Sequence, residues 1–423
     1  MKPAAVPLRY RALLAALALP MLGYTLWRAL RDGGWRYLWQ RLGFGLPRLQ
    51  RPIWLHCASV GEVNAALPLL DGLLARYPDA PLLVTSNTPT GAAVLARRCG
   101  ERVRHAYLPL DFRFAARRFL RHCRPRCGLI VETELWANLY RAAAERGVPL
   151  AIVNGRLSAR TLDAGGLLRP LLRPALRSCL RNVDRVLARG AADAAGFRQL
   201  GAPDERVRVL GNLKFAAAAQ PLAATPRPIE RRYWLAASTH DDEELQLARI
   251  RRELGRDELL VIAPRHPERR EAILRQLAPL GLDVAVRSRG EPIAADTQLY
   301  LADTLGELAG FIAHAELVFM GGSLIPRGGQ NLLEPARAGV AIICGPHMEN
   351  FADELARLRA ADALRQVADA AALARLLDEL LDDAAQRARL GAAAQALVRR
   401  EAGVGRAYLE ALQPLLGQGT DGR

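Results

Sequence analysis

From Ile53 onward, short apolar runs alternate with segments whose apolar residues recur at helical spacing. The runs are Ile53–Cys57, Leu82–Thr85, Leu129–Val131, Leu150–Val153, Val183–Ala188 and Val207–Leu210. Unbroken runs of this length read as strands buried on both faces, and the intervening segments read as crossover helices. One helix start is explicit: Thr88 caps and Pro89 takes the first helical position. The Ala/Pro-rich stretch 216–228 interrupts the pattern and reads as a linker. A second alternating set follows, with strands at Tyr233–Ala237, Leu259–Ala263, Val284–Arg287, Gln298–Leu301, Leu317–Met320 and Ala341–Cys344. From Asp369 to Leu412 the period is helical throughout.

The pattern predicts an α/β protein of two doubly wound, Rossmann-like domains facing across a cleft. Their expected bounds are 51–215 and 229–423, the latter including the terminal helices. Ahead of them, Ala12–Trp27 is apolar and contains Pro20. It is short for a bilayer-spanning helix, which wants about 20 residues. No clear small-residue cleavage site follows it. Arg28, Arg31, Arg36 and Arg41 come directly after, so residues 1–50 are expected to form an uncleaved N-terminal membrane-anchor helix with a basic flank. Positive charge on that side places the body on the cytoplasmic face.

Composition adds charge. Of 59 basic residues only Lys2 and Lys214 are lysine, and the formal net charge is +16. Ammonium and guanidinium are not equivalent, so a lysine kept deep in an arginine-rich chain points to a role for a compact charge on a flexible stem. The arginines are spread without aromatic interleaving and without a nucleic-acid motif. An anionic membrane surface or an acidic substrate therefore ranks above nucleic acid as partner. The six cysteines are scattered, with no second pair or histidine cluster to complete a zinc site, and read as free thiols. The seven histidines show no HxH or HxxxH spacing, so no metal site is expected.

Candidate chemistry collects where strands end, which in an open α/β sheet is where ligands bind. The stretch HCASVGEVNAALPLL leaves a strand, turns, and opens a helix with Glu62 in its first turn. A glutamate there also complements the helix dipole. LIVETELW presents Glu132 and Glu134, and IVNGRLSAR presents Asn154, Arg156, Ser158 and Arg160. Two carboxylates at neighbouring strand ends can share a proton or divide into base and partner. In the second half, Ser238, Thr239 and His240 follow one strand, and Arg265 and His266 the next. Thr304 and Glu307 have capping-box spacing. MGGSLIPRGGQNLLEPARAG supplies two Gly pairs and then a helix starting near Asn331, a pattern suited to a phosphate. Glu334 on its first turn either bonds a ribose or complements the dipole. Neither Gly pair fits a dinucleotide fingerprint or a P-loop.

Taken in order, HCASVGEVNAALPLL, TPTGAAVLARR, VETELWANL, NGRLSARTL, LGNLKF, STHDDEE, PRHPER, DTLGEL, MGGSLIPRGGQNLLEPA and GPHMENF resemble the 3-deoxy-D-manno-octulosonic acid (Kdo) transferases of lipopolysaccharide synthesis. The resemblance runs to about Phe351. It implies a two-domain GT-B glycosyltransferase fold, CMP-Kdo as donor, a lipid A precursor (lipid IVA) as acceptor, and a place on the cytoplasmic face of the inner membrane. No cofactor is expected. By motif, Glu62 is the expected general base, and Glu132 and Lys214 stabilise the transition state. Donor contacts are expected from Pro264, Arg265, Leu305, Gly306, Glu307, Asn331, Leu332, Leu333 and Glu334. Gln330 stands where the family commonly has histidine, and Leu332 where proline often follows the asparagine. The competing readings are a GT-B enzyme using another nucleotide sugar on a lipid, and an anchored, non-catalytic nucleotide-binding protein.

Overall fold

The computed structural model describes residues 3–157, 169–218 and 226–417. The chain divides into two compact units, Met1–Ala217 with Gly403–Arg423, and Ala218–Ala402.

The first unit is built on a parallel sheet of Ile53–His56 (β1), Leu82–Ser86 (β2), Arg104–Tyr107 (β3), Cys127–Val131 (β4), Leu150–Gly155 (β5), Arg185–Ala188 (β6) and Val207–Val209 (β7), in the order β3-β2-β1-β4-β5-β6-β7. Alternate residues feed opposite faces. Trp54, Leu83, Ile130 and Ile152 enter one core, while Ile53, Leu55, Val84, Leu129, Val131 and Val153 enter the other. Both faces are covered, which is why the strands read as continuous apolar runs. The sequence pattern misses β3, whose Arg104 and His105 are polar, as suits an edge strand.

The second unit repeats the plan with Tyr233–Thr239 (β8), Leu259–Pro264 (β9), Val284–Val286 (β10), Leu299–Leu301 (β11), Leu317–Met320 (β12), Ala341–Cys344 (β13) and Arg365–Gln366 (β14), in the order β10-β11-β9-β8-β12-β13-β14. The pattern misses β14 for the same reason: it is a two-residue polar edge. The strand order reverses between β1 and β4 in the first sheet and between β8 and β12 in the second, where β11 also inserts between β10 and β9. The carboxyl ends of those strands flank the crevice where an α/β sheet binds its ligand.

Two of the expected domain bounds differ in the structure. The last helix, Val404–Gly417, belongs to the first unit and not to the second. Tyr408, Leu412 and Leu416 are buried in the core that holds Leu55 and Val131, and the Tyr408 hydroxyl donates to the carbonyls of Leu187 and Gly211. The expected linker is also shorter, since the helix Leu213–Ala218 occupies its start; residues 219–225 lie outside the described residues.

The N-terminal segment is not one spanning helix. It forms Leu8–Ala16 (α1), Ala18–Arg28 (α2), a π-helical turn Ala29–Gly33 and Gly34–Arg41 (α3). Among the described residues no single helix is long and apolar enough to cross a membrane; one pair, Leu8–Ala16 with Ala18–Arg41, passes by length and composition but is bent by 51°. Pro20 explains the break, because its ring crowds the carbonyl of residue 16 and it offers no N–H to bond it. Before the bend the chain is tied to the body. Val6, Tyr10 and Leu14 are buried, Tyr10 Oη donates to Asp111 Oδ2 (2.8 Å), and Ala4 N donates to Asn182 Oδ1 (2.8 Å). After it, Leu19 (81% exposed), Leu30 (72%) and Trp35 (64%) face solvent with Tyr24, Trp27 and Trp39.

Candidate active site

The first site forms at the β1/β4 reversal. β1 ends at His56, a buried ring whose Nδ1 meets Thr85 Oγ1 at 2.9 Å; burial lowers its pKa to about 3, so it is neutral. The chain turns at Ser59, whose side chain caps Val60–Arg76 (α4) by accepting from Glu62 N. Glu62 folds back over this turn. One carboxylate oxygen accepts from Ala58 N–H (2.7 Å), and the other lies 3.4 Å from Ser59 Oγ. This is close to a capping box, so the glutamate does perform the structural task its position suggests.

That task does not settle its charge. Burial raises the Glu62 pKa from 4.5 to about 8; the Ala58 N–H opposes the rise, while Glu132 and Glu134 add to it. The helix dipole favours the carboxylate by only ~0.3–1 kcal/mol. That is less than one pH unit, about 1.36 kcal/mol, and cannot offset the rise. At neutral pH the group is therefore mostly protonated but within reach of ionising.

Glu132 follows β4 directly, in a left-handed conformation with φ +58. Asn154, near the end of β5, is also left-handed, with φ +52. Two such residues at adjacent strand ends are backbone strain held by the surrounding sheet, a common property of functional sites. Asn154 has a visible task. Its Oδ1 accepts from Leu213 N (3.0 Å) and fixes the start of the helix Leu213–Ala218, so Lys214 is placed from the end of β5. Asn212 Oδ1 accepts from Lys214 N (3.1 Å) and completes the turn. Ser158 and Arg160 lie outside the described residues.

In the second unit the loop after β12 is fastened to the start of the helix that follows β8, Glu243–Leu254, by one buried carboxylate. Glu243 accepts from the N–H groups of Gly322 (2.6 Å), Ser323 (3.0 Å), Leu324 (3.0 Å) and His240 (2.9 Å). Burial raises its pKa and those four bonds pull it back. Gly329 is required here: its φ is +75, and a side chain would meet Met348 Sδ at 2.2 Å. Gln330 Nε2 lies 3.0 Å from His240 Nε2. The contact needs an imidazole nitrogen that accepts, and burial with nearby His266 and arginines lowers the His240 pKa accordingly. Gln330 is thus accommodated as a donor. Leu332 is fully buried.

Pro264 ends β9, and Arg265 is exposed with its amide bonded to Thr239 O (2.9 Å). The expected helix start at Thr304 is displaced. The helix is Leu308–Ala313, Thr304 bonds the Glu307 carboxylate instead of a backbone N–H, and Arg287 pairs with Glu307 at 2.7 Å. Gly306 adopts φ +93 and Leu305 is 84% exposed. Asn331 bonds Leu333 N (3.1 Å) and Glu334 Oε1 (3.2 Å) at the start of Leu333–Ala338, two residues later than expected. The helices Leu308–Ala313 and Leu333–Ala338 pack on each other, which brings both candidate donor segments together. In the sequence Glu243 reads only as an acidic helix start, and Asn87 carries no signal of a task.

A family model described as "3-Deoxy-D-manno-octulosonic-acid transferase (kdotransferase)" matches residues 36–217. A Bordetella pertussis protein named 3-deoxy-D-manno-octulosonic acid transferase is 37% identical, over 96% of this chain and 99% of its own. This chain belongs to the Kdo transferase family. A Haemophilus influenzae protein of the same name is 33% identical over 86% of this chain and 87% of its own. A UDP-GlcNAc 2-epimerase structure from Neisseria meningitidis matches with TM-score 0.58 at 12% identity, covering 86% of this chain and 100% of that one, and shows the shared fold alone. The chain is therefore a glycosyltransferase of Kdo in lipopolysaccharide biosynthesis.

A raised carboxyl pKa has a stability signature. Between about 4.5 and 8 the unfolded chain has released the Glu62 proton and the folded chain has not, so stability falls as pH rises through that window. Glu62→Gln removes the penalty and keeps an oxygen for Ala58 N–H. The variant is expected to unfold at a higher temperature than wild type at pH 9 and at nearly the same temperature at pH 5. Equal differences at both pH values contradict the assignment.

Proposed function

We propose that the chain transfers Kdo from CMP-Kdo to the hydroxyl of a lipid A precursor, lipid IVA, by an inverting and metal-independent displacement with Glu62 as general base. The observation that carries this reading is the Glu62 carboxyl at the β1/β4 reversal, with its pKa raised to about 8. A base is most effective when its pKa lies near the working pH. In this reaction the acceptor hydroxyl gives its proton to Glu62, and its oxygen attacks the anomeric carbon. The bond from that carbon to the phosphate oxygen breaks, and CMP leaves with the electron pair.

Negative charge then develops on the leaving phosphate, where preorganised cations and N–H groups act most strongly. Lys214 supplies a point charge and, with Glu132, serves the transition state. The CMP moiety is assigned to Pro264 and Arg265, to Leu305, Gly306 and Glu307, and to Asn331, Leu332, Leu333 and Glu334. The loop after β12, held by Glu243, supports that assignment because its backbone is drawn tight beside them.

The N-terminal segment supports binding to the inner-membrane surface in the plane of the bilayer. After the bend it carries exposed Leu19, Leu30, Trp35 and Trp39 together with Arg28, Arg31 and Arg36. Apolar and aromatic residues flanked by arginine are what an interfacial helix presents.

Two measurements test the reading. Given CMP-Kdo, a tetra-acylated lipid A precursor and excess chelator, wild-type enzyme should yield a product heavier by one or more Kdo units. Glu62→Gln should lose about 10²–10⁴-fold in kcat while CMP binding is kept. Lys214→Arg should also lose most activity, since a planar fork does not replace an ammonium. No product from a preparation that binds CMP rejects the assigned substrates. For the membrane, replacing Trp35 and Trp39 together by Ala should weaken sedimentation with phosphatidylglycerol vesicles about tenfold at unchanged thermal stability; unchanged sedimentation rejects the interfacial role.

A further inference from the structure

Arg41 is the last residue of α3, the helix whose outer side carries Trp35 and Trp39. Its guanidinium points the other way, into the first unit. Nη1 donates to Asn87 Oδ1 (2.9 Å) and to the carbonyl of Leu108. Nε is shielded from solvent and has no hydrogen-bond partner. Placing a cation there costs desolvation, so the position calls for a compensating role.

Asn87 is the node. Its backbone N–H donates to Ala58 O (3.3 Å), in the turn whose own N–H holds Glu62. Its side-chain nitrogen lies 3.5 Å from Glu134 Oε2. One asparagine therefore touches the Glu62 turn, Glu134 and Arg41 at once. Burial raises the Glu134 pKa; Trp136, Arg41 and Asn87 pull it back, and Glu132 adds to the rise. The rest of α3 is docked equally firmly. Gln40 Oε1 accepts from Tyr107 N (2.9 Å), and Arg36 donates to His105 O, both on edge strand β3.

We propose that Arg41 is a positioning residue for transfer: through Asn87 it holds Glu134 and the Ala58–Glu62 turn in place, and it thereby joins the helix that faces the bilayer to the catalytic centre. The proposal rests on the reading of Glu62 as the base. Arg41 touches no reacting atom. It acts by fixing where the base stands, and a displacement of about 1 Å in such a group costs up to ~100-fold in rate. Both of its hydrogen bonds leave from Nη1. The three donors of a lysine ammonium can serve the same two acceptors, whereas the neutral glutamine cannot restore the charge.

The test is a double-mutant cycle in the Kdo-transfer assay, with folding followed by thermal unfolding and CMP binding. Arg41→Gln and Asn87→Ala are each expected to lower kcat by about ten- to a hundredfold, with KM for both substrates near wild type. The double variant should be no worse than the weaker single variant, because both lie on one path. Arg41→Lys should recover most of the loss. Wild-type kcat in Arg41→Gln, additive losses in the double variant, or equal losses in Arg41→Gln and Arg41→Lys would each overturn the proposal. Should Arg41→Gln fail to fold, a folded Asn87→Ala with undiminished kcat does so as well. Glu62→Gln run alongside separates the two levels. If that variant keeps turning over, the base assignment itself fails; if it is inactive while Arg41→Gln is normal, only the role of Arg41 fails.

Discussion

Glu62 is held where its surroundings oppose its negative charge, and much of the first unit serves to keep it there. The reversal of strand order between β1 and β4 opens the crevice, and two further carboxylates, Glu132 and Glu134, come from the strand beside it. Burial and those neighbours raise the proton affinity of Glu62; the Ala58 N–H and the helix start resist. The helix dipole alone is worth less than one pH unit, burial outweighs both opposing effects, and the carboxyl is held up at about 8. Asn154 and the last helix support this arrangement from behind. Tyr408 Oη accepts from Asn154 N (3.2 Å), and Asn154 in turn carries the helix of Lys214.

The second unit solves a different problem with the same fold. At its reversal, between β8 and β12, a buried carboxylate is fully engaged by four backbone N–H groups. Glu243 is therefore a clamp, while Glu62, with one strong donor and repelling neighbours, remains available for proton transfer. The contrast follows from the number of hydrogen bonds each receives and not from residue type.

Much of this is legible in the sequence. Continuous apolar runs mark the strands because both faces of each sheet are covered, and a turn residue marks the helix start at Thr88. Strands β3 and β14 are not legible, since an edge needs no apolar run. The destination of the last helix is not legible either: an amphipathic pattern states which side is buried but not against which domain. Pro20 announces a break, yet the docking of Tyr10 on Asp111, which ties the segment before the bend to the body, depends on residues 101 apart. Candidate site residues at strand ends are found because the topology of such sheets makes strand ends the binding edge. Their supports, Asn87, Glu243 and Arg41, carry no such mark; Arg41 is one arginine among many until its partners are seen.

Titration of the Glu62 carboxyl itself decides whether this group can serve as the base. Difference infrared spectroscopy of protein labelled with 13C-carboxyl glutamate, wild type against Glu62→Gln, isolates that group. A protonated carboxyl band is expected to persist at neutral pH, to disappear with a midpoint near 8, and to be absent from the variant. A Glu62 carboxyl fully ionised by pH 6 would contradict that role, because an ordinary surface glutamate would then stand where a shielded base is required.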